Sequence, residues 1–281
     1  IKVECEAARK IFSKSGSVIQ NDEIIYIQEE LIDYALEAVP SKIKVFKKNG
    51  QHAFTLKENQ EESYFGIGVT NINFQDIKTN KTKPFIRNHM QVSTKLGDLL
   101  ENFDMISTLG IPNDVAPQNV DLYNVLDMYV NSEKPLVLLI SEGNKISEVF
   151  DLIGSLQGNI SEKPFIIPYF NPVSPLVLNK STTDKMVETI NQQLPFIFSN
   201  YGMYGGTTPI SEAGSLAVLT AELLAGLVFS QLVKKSTPVI LGSLPAGFDM
   251  QTMGTFYSTS SYLMNLASAE MMNHYKIPHC G

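Results

Sequence analysis

The sequence predicts an α/β fold: a (β/α)8-type barrel, incomplete over these 281 residues, preceded by an N-terminal α+β extension. Three observations carry this expectation. From Asp104 onward, short apolar strands alternate with helical patterns at a period of roughly thirty to forty residues. Two strand ends are rich in glycine and small residues, as where a barrel lines a pocket: Met203-Tyr204-Gly205-Gly206-Thr207-Thr208-Pro209, and the exit ending in Phe248-Asp249-Met250. Neither GxGxxG nor GxxxxGK[ST] occurs, so the usual phosphate fingerprint of an open doubly wound sheet is missing.

Residues 1–100 are assigned to the extension and residues 101–281 to the first five to six β/α units. The start, IKVECEAARKIF, reads as a mixed amphipathic helix rather than a signal sequence. Asn21-Asp22 then open the segment IIYIQEELIDYALEAV, whose apolar residues recur near helical spacing until Pro40 ends it. KIKVFKKNG and QHAFTLK alternate apolar and polar residues, the pattern of a hairpin around Asn49-Gly50. Residues 64–86 read as two further strands with a polar turn at 78–83.

In the second part, strands are expected at 104–108, 136–141, 165–170, 196–199 and 238–242. Helices are expected near 118–131, 144–157, 181–193, 210–234 and 258–275. Buried strands alternating with helices imply a parallel sheet with right-handed crossovers. Five units fit where a barrel needs eight. Lys276 to Gly281 reads as the approach to a sixth strand, and the chain begins at Ile1, so a segment of a longer protein is expected.

Composition narrows the function classes. Hydrophobic residues make up 43% and charged residues 18%, a globular balance. A net charge of −7 argues against nucleic acid, whose phosphates need a basic surface. Cys5 and Cys280 form neither a disulfide framework nor a CxxC pair, which favours a reducing compartment. The four histidines show no HExxH or other ligand spacing, so no metal site is expected. Residues 215–233 approach membrane length, but Glu222 and Gln231 interrupt them. A charge at mid-span costs about 2.5–3.5 kcal/mol in lipid, so a buried helix, with no membrane partner, is the expectation.

Several longer stretches taken together resemble one family. They are Tyr64-Phe65-Gly66-Ile67-Gly68, ENFDMISTLGIPNDVAP (101–117), Asn131 to Pro135 and EKPFIIPYFNPVSPL (162–176). The strongest are GGTTPISEAGSLAVLTAELLAGLVFSQLV (205–233) and the run from Pro238 to Met250. In order and spacing these resemble the trimethylamine/glycine betaine corrinoid methyltransferase family, from about Ser15 onward. The resemblance implies a cytoplasmic TIM-barrel enzyme, expected as a homo-oligomer. Such an enzyme moves an N-methyl group from a small methylated amine to the cob(I)alamin of a partner corrinoid protein and binds no cofactor directly. In the trimethylamine branch a pyrrolysine lies further along the chain. None occurs here, so the branch stays open between trimethylamine and a quaternary amine such as glycine betaine.

A quaternary ammonium has a permanent charge and no N–H, so aromatic faces and carboxylates must recognise it. Strand exits supply Tyr169, Phe170, Tyr201, Tyr204, Phe248 and Tyr257, and carboxylates at Asp114, Glu142, Glu212 and Asp249, with Asp76 on the earlier hairpin. Asp249 is the preferred pocket carboxylate; Glu212 equally fits a first helical turn, where it would complement the dipole. Gly205 and Gly206, beside Thr207, allow close backbone approach, and the N–H groups that follow at the helix start suit a substrate carboxylate such as that of a betaine. Plain turn chemistry explains the same glycines. Asn171-Pro172 and Leu244-Pro245 would shape the rim. Cobalt being the nucleophile, no Ser, Cys or Lys nucleophile is required, and no catalytic residue is assigned. The alternative reading is a non-catalytic betaine-binding or regulatory barrel relative. An aldolase or lyase would want a Schiff-base lysine at a strand end, whereas the lysines sit mainly in helices, turns and strand entries.

Overall fold

The computed structural model of the chain describes residues 1–16, 18–21, 23–68, 70–141 and 143–281. In chain order the elements begin with β1 (Lys2–Val3), α1 (Glu6–Ser13), β2 (Val18–Asn21), β3 (Ile24–Ile27) and α2 (Glu29–Ala38). Next come β4 (Lys42–Phe46), β5 (His52–Lys57), β6 (Asn73–Gln75), β7 (Thr82–Pro84), α3 (Arg87–Leu99), β8 (Ile106–Ser107), α4 (Val120–Asn131), β9 (Leu136–Leu139), α5 (Ile146–Gln157) and β10 (Ile166–Phe170). The rest are β11 (Val177–Leu178), α6 (Lys180–Asn191), β12 (Phe196–Tyr204), α7 (Glu212–Val233), β13 (Val239–Asp249), β14 (Gly254–Phe256), α8 (Thr259–His274) and β15 (His279–Cys280). They form two compact units: unit 1 is residues 1–43, 56–59 and 170–281, and unit 2 is residues 44–55 and 60–169.

Unit 2 holds three short parallel strands. Leu136 of β9 stands between Ile106 of β8 and Ile166 of β10, and the β9–β10 register continues to Leu139 opposite Tyr169. Most residues of these strands are buried, among them Ile106, Leu136 to Leu138, Ile166, Ile167 and Phe170, as residues of parallel strands are. The unit's cross-links are polar. Arg87 at the start of α3 makes a two-pronged pair with Asp127 of α4, Nε to Oδ2 at 2.6 Å and Nη2 to Oδ1 at 2.7 Å. The Arg87 guanidinium also lies 4.2 Å from the centre of the Tyr123 ring. The expected hairpin turn forms at Asn49-Gly50: Gly50 takes φ +81°, and Lys47 and Gln51 bond across it at 2.8 Å. The polar turn of residues 76–81 joins β6 to β7, with Phe74 opposite Lys83.

Unit 1 is built around α7. This 22-residue helix is long and apolar enough to cross a membrane, yet most of it is buried inside the unit, as the sequence led one to expect. A glycine sets its distance from β12. A Cβ on Gly226 would collide with the ring of Phe198, so only glycine lets strand and helix meet there. Phe229, further along α7, stacks on Phe12 of α1 with ring centres 5.7 Å apart. β12 and β13 run parallel over nine register pairs, from Phe196–Val239 to Tyr204–Gly247. The expected sixth strand is present as β15, parallel to β13, with Leu241 opposite His279.

Two expectations for the extension need correction. Residues 24–27 are a strand, not the first turn of a helix, and the helix begins only at Glu29. The run IIYI is β-branched and aromatic, and its backbone is claimed by strands: Val18 faces Ile27 on one side, and Lys2 faces Ile24 on the other. Asp22, expected at the start of that helix, lies outside the described residues. The first residues are likewise a strand, β1, which also pairs in parallel with β11 (Lys2 opposite Val177), so the helix α1 starts at Glu6. Tertiary pairing overrides a helical spacing that is weak over so few residues.

Candidate active site

Strand overrun creates the site. β12 was expected to end at Ser199 and β13 at Gly242, but they continue to Tyr204 and Asp249 because they pair with each other across their glycines. β14 folds back on β13, placing Gly247 opposite Phe256 and Asp249 opposite Gly254. A Cβ at Gly247 would enter the Phe256 ring, so this glycine is what lets the aromatic lie flat on the strand. The overrun ends carry Tyr201 and Tyr204 from β12, Phe248 from β13, Phe256 from β14 and Tyr257 just after it.

These side chains hold one another. The Tyr204 hydroxyl is 2.8 Å from Ser258 Oγ, the residue that caps α8. Its ring meets Phe256 edge-on at 6.1 Å. Tyr201, and Tyr262 of α8, lie near the Tyr257 hydroxyl. Partial burial first, then the neighbouring Tyr201 and Tyr262, push the Tyr257 phenol above its ordinary pKa. Tyr257 as a whole remains 60% exposed, so part of it is open to solvent. Phe248 lies over the glycine turn, where a Cβ on Gly206 would stand 3.0 Å from Phe248 Cγ.

The turn itself is closed by its own bonds. Gly205 takes φ +82°, the left-handed conformation that favours glycine. Gly206, Thr207 and Thr208 all donate backbone N–H to Met203 O, at 3.0, 2.8 and 3.0 Å, and Gly205 N–H goes to Thr208 O at 3.1 Å. Thr207 Oγ1 accepts from Met203 N–H at 2.9 Å. The amides of Gly205 to Thr208 are thus taken up within the turn itself. Glu212 is exposed in the first turn of α7. Asn171, at the exit of β10, donates from Nδ2 to Ser199 O at 2.8 Å and so stands against β12.

Asp249 caps the β13–β14 turn: Oδ1 accepts from Gln251 N–H at 2.9 Å and Oδ2 from the Thr252 hydroxyl at 2.8 Å. Those donors hold its carboxyl below the usual range. Tyr169 and Asp76 belong to unit 2. Tyr169 is half-buried on β10, and Asp76 accepts from Lys78 N–H, Thr79 N–H and Lys83 Nζ at 3.0, 2.9 and 2.6 Å. Asp114 accepts the Arg87 backbone N–H at 2.8 Å. Glu142 lies outside the described residues. Among the described residues no three His, Cys, Asp or Glu side chains stand close enough to hold a metal.

Sequence reasoning missed Tyr262, Ser258 and Ser261, which reach the strand ends only because α8 returns there. It also passed over Glu222 and Asn200. Glu222 entered only as an interruption of an apolar helix, although a lone charge in such a helix is itself a signal of a buried polar site.

Comparison with known proteins places this geometry. Trimethylamine methyltransferase MttB of Desulfitobacterium hafniense is 24% identical over 284 residues, covering 99% of this chain and 57% of that protein. The protein of the same name from Methanosarcina barkeri strain Fusaro is 27% identical over 289 residues, covering 99% and 58%. Glycine betaine methyltransferase of D. hafniense strain Y51 is 24% identical over 292 residues, again covering 99% and 58%. The chain therefore spans less than two thirds of the length of these relatives. Among solved structures, M. barkeri monomethylamine methyltransferase (MtmB) superposes with a TM-score of 0.60 at 9% identity, covering 90% of this chain and 54% of that one. The hydroxylamine complex of MtmB reaches 0.62 at 9% identity, covering 97% and 60%. The α/β fold is thus shared with that enzyme. The family model described as trimethylamine methyltransferase (MTTB) matches residues 1–280, and the chain belongs to that family.

Proposed function

We propose that the full-length protein moves an N-methyl group from a methylated amine, either a quaternary amine such as glycine betaine or trimethylamine, to the cob(I)alamin of a partner corrinoid protein. In this reading the parallel strands of the two units are the first strands of a (β/α)8 barrel, and the protein works in the cytoplasm as a homo-oligomer. Family membership supports the reaction class. The observation that carries it to named residues is the open aromatic rim of unit 1: Tyr201, Tyr204, Phe248 and Tyr257 on strand ends that overrun the sheet.

A quaternary ammonium group offers only C–H groups to its surroundings. Tyrosine faces attract it without needing a donor, by about 0.5–1 kcal/mol per exposed ring. The rim's internal bonds fix the ring planes before the ligand arrives, which lowers the ordering cost of binding. The corrinoid supplies the nucleophile, a reduced cobalt. This chain's part is to hold one methyl outward and in line with it, and such orientation accounts for much of the barrier lowering in reactions of this kind. The tertiary amine released from a quaternary substrate leaves neutral, and trimethylamine reacting as its N-protonated form likewise leaves neutral dimethylamine, so the rim tyrosines need not donate a proton. The buried core beneath the rim keeps one side of the ligand from water.

The test uses the full-length protein, a corrinoid protein reduced to cob(I)alamin, and trimethylamine or single betaines, with methylation followed by absorbance. Methylation with one of these amines supports the reading and assigns the branch. Binding of a betaine with no methylation by any amine would sink it in favour of a binding protein.

A further inference from the structure

Glu222 lies in the middle of α7 and is 2% exposed. Its Oε2 accepts from Ser174 Oγ at 2.7 Å, and its Oε1 accepts from Leu176 N–H at 2.7 Å. Asn200, fully buried on β12, donates from Nδ2 to Leu219 O at 2.8 Å and lies near the Glu222 carboxyl. No cation contributes to its environment among the described residues, and burial pushes its carboxyl above the ordinary value. A buried carboxyl without a counter-ion is a poor choice for core stability alone; a leucine of similar volume would serve better. Something other than packing keeps an acid there.

Both oxygens hold the same loop, residues 171–178. That loop contains Leu176 at φ +59°, the left-handed region that a leucine rarely enters. Such a conformation persists only where the surroundings over-determine it. Leu176 is held from two sides: its N–H by Glu222, and its carbonyl by Lys2 N–H at 2.9 Å. The loop opens with Asn171, bonded to Ser199 O of β12, and Thr182 Oγ1 donates to Asn171 O at 2.7 Å.

We propose that Glu222 is a positioning residue for the strand-end site: from the middle of α7 its two carboxylate oxygens hold loop 171–178 in one conformation, and so set where Asn171 stands beside β12. Glu222 acts through the loop and touches no substrate. The proposal rests on the methylated-amine reading of that site.

The test compares the wild-type full chain with Glu222→Gln and Ser174→Ala. Glutamine keeps one acceptor oxygen but turns an NH2 toward the other donor. Ser174→Ala removes one donor and leaves the carboxyl in place, so it folds even if the first variant does not. Amide hydrogen exchange reads the loop without any ligand or activity. The expected result is exchange about tenfold faster at Leu176 and its loop neighbours in Glu222→Gln, less in Ser174→Ala, with α7 unchanged in both. Alongside it, KM for the accepted amine should rise about tenfold and kcat stay within about twofold, because the loop orients rather than reacts. Unchanged loop exchange in both variants overturns the proposal. So does faster exchange spread evenly over α7 and the loop, which is the mark of a merely structural residue. A wild type that binds no methylated amine overturns the site reading instead, and the exchange data still report on the clamp.

Discussion

The strands of the two units end differently. In unit 2, β8 and β9 stop early and polar side chains close over their ends. Asp121 accepts both Ser141 N–H and Ser141 Oγ, at 3.0 and 3.1 Å. Thr108 Oγ1 accepts Leu139 N–H at 3.1 Å, and Asn124 donates to Gly110 O at 3.2 Å. In unit 1, β12 and β13 overrun the sheet and end in aromatic rings and glycines, with Tyr257 open to solvent. The same β/α repeat thus makes a sealed edge in one place and an open rim in the other. The difference lies in the residues just after the apolar run: short polar residues seal by local hydrogen bonds, whereas Tyr-Gly and Gly-Phe runs extend the strand and leave faces exposed.

Substitutions can break or sharpen that contrast. The largest effect is expected at Gly226→Ala, where the added methyl meets the fully buried Phe198 ring between α7 and β12. Overpacking of this kind should cost about 3 kcal/mol, seen as a lower midpoint in denaturant with an unchanged slope. Unit 2 should be most sensitive at Arg87→Ala, which leaves the buried Asp127 without its cation. Because Arg87 is itself one-third exposed, the loss should be about 2 kcal/mol. Gly205→Ala should cost about 1 kcal/mol through its φ of +82° and should also disturb the rim, so amine affinity falls with stability.

Tyr257→Leu separates binding from folding. It removes an exposed aromatic face, so affinity for a quaternary amine should drop about fivefold in calorimetry while thermal stability stays put. An unchanged affinity would remove Tyr257 from the site. The smallest effect is an acid one in unit 2. Lys83 first, then the Thr79 N–H, hold the Asp76 carboxyl well below the usual range. Its folded pKa lies below its unfolded one, so its contribution is fully present above about pH 4 and is lost as pH falls through the folded value. Exchange at Lys78 and Thr79 should quicken in that acid window, and Asp76→Asn should flatten the dependence.

Legibility in the sequence depended on range. The βα rhythm after Asp104 was readable because each apolar run is buried, so composition alone marks it. The hairpin at Asn49-Gly50 was readable because its turn chemistry is local. Residues 24–27 were misread because their partners, β1 and β2, are strands whose pairing no local window contains. The rim was half legible: Tyr204, Gly205, Gly206 and Phe248 stood out as small and aromatic residues at strand exits, but the closed turn that occupies their amides did not.

By itself, then, the sequence determined the β/α alternation after Asp104, the burial of α7 and the family, since periodicity, turn residues and long-range motif order are written along the chain. Only tertiary structure decided that β12 and β13 would overrun, that α8 would bring Ser258 and Tyr262 to their ends, and that Glu222 would grip loop 171–178. Those depend on which backbone and side-chain groups meet across dozens of residues, and a linear pattern carries no record of such meetings.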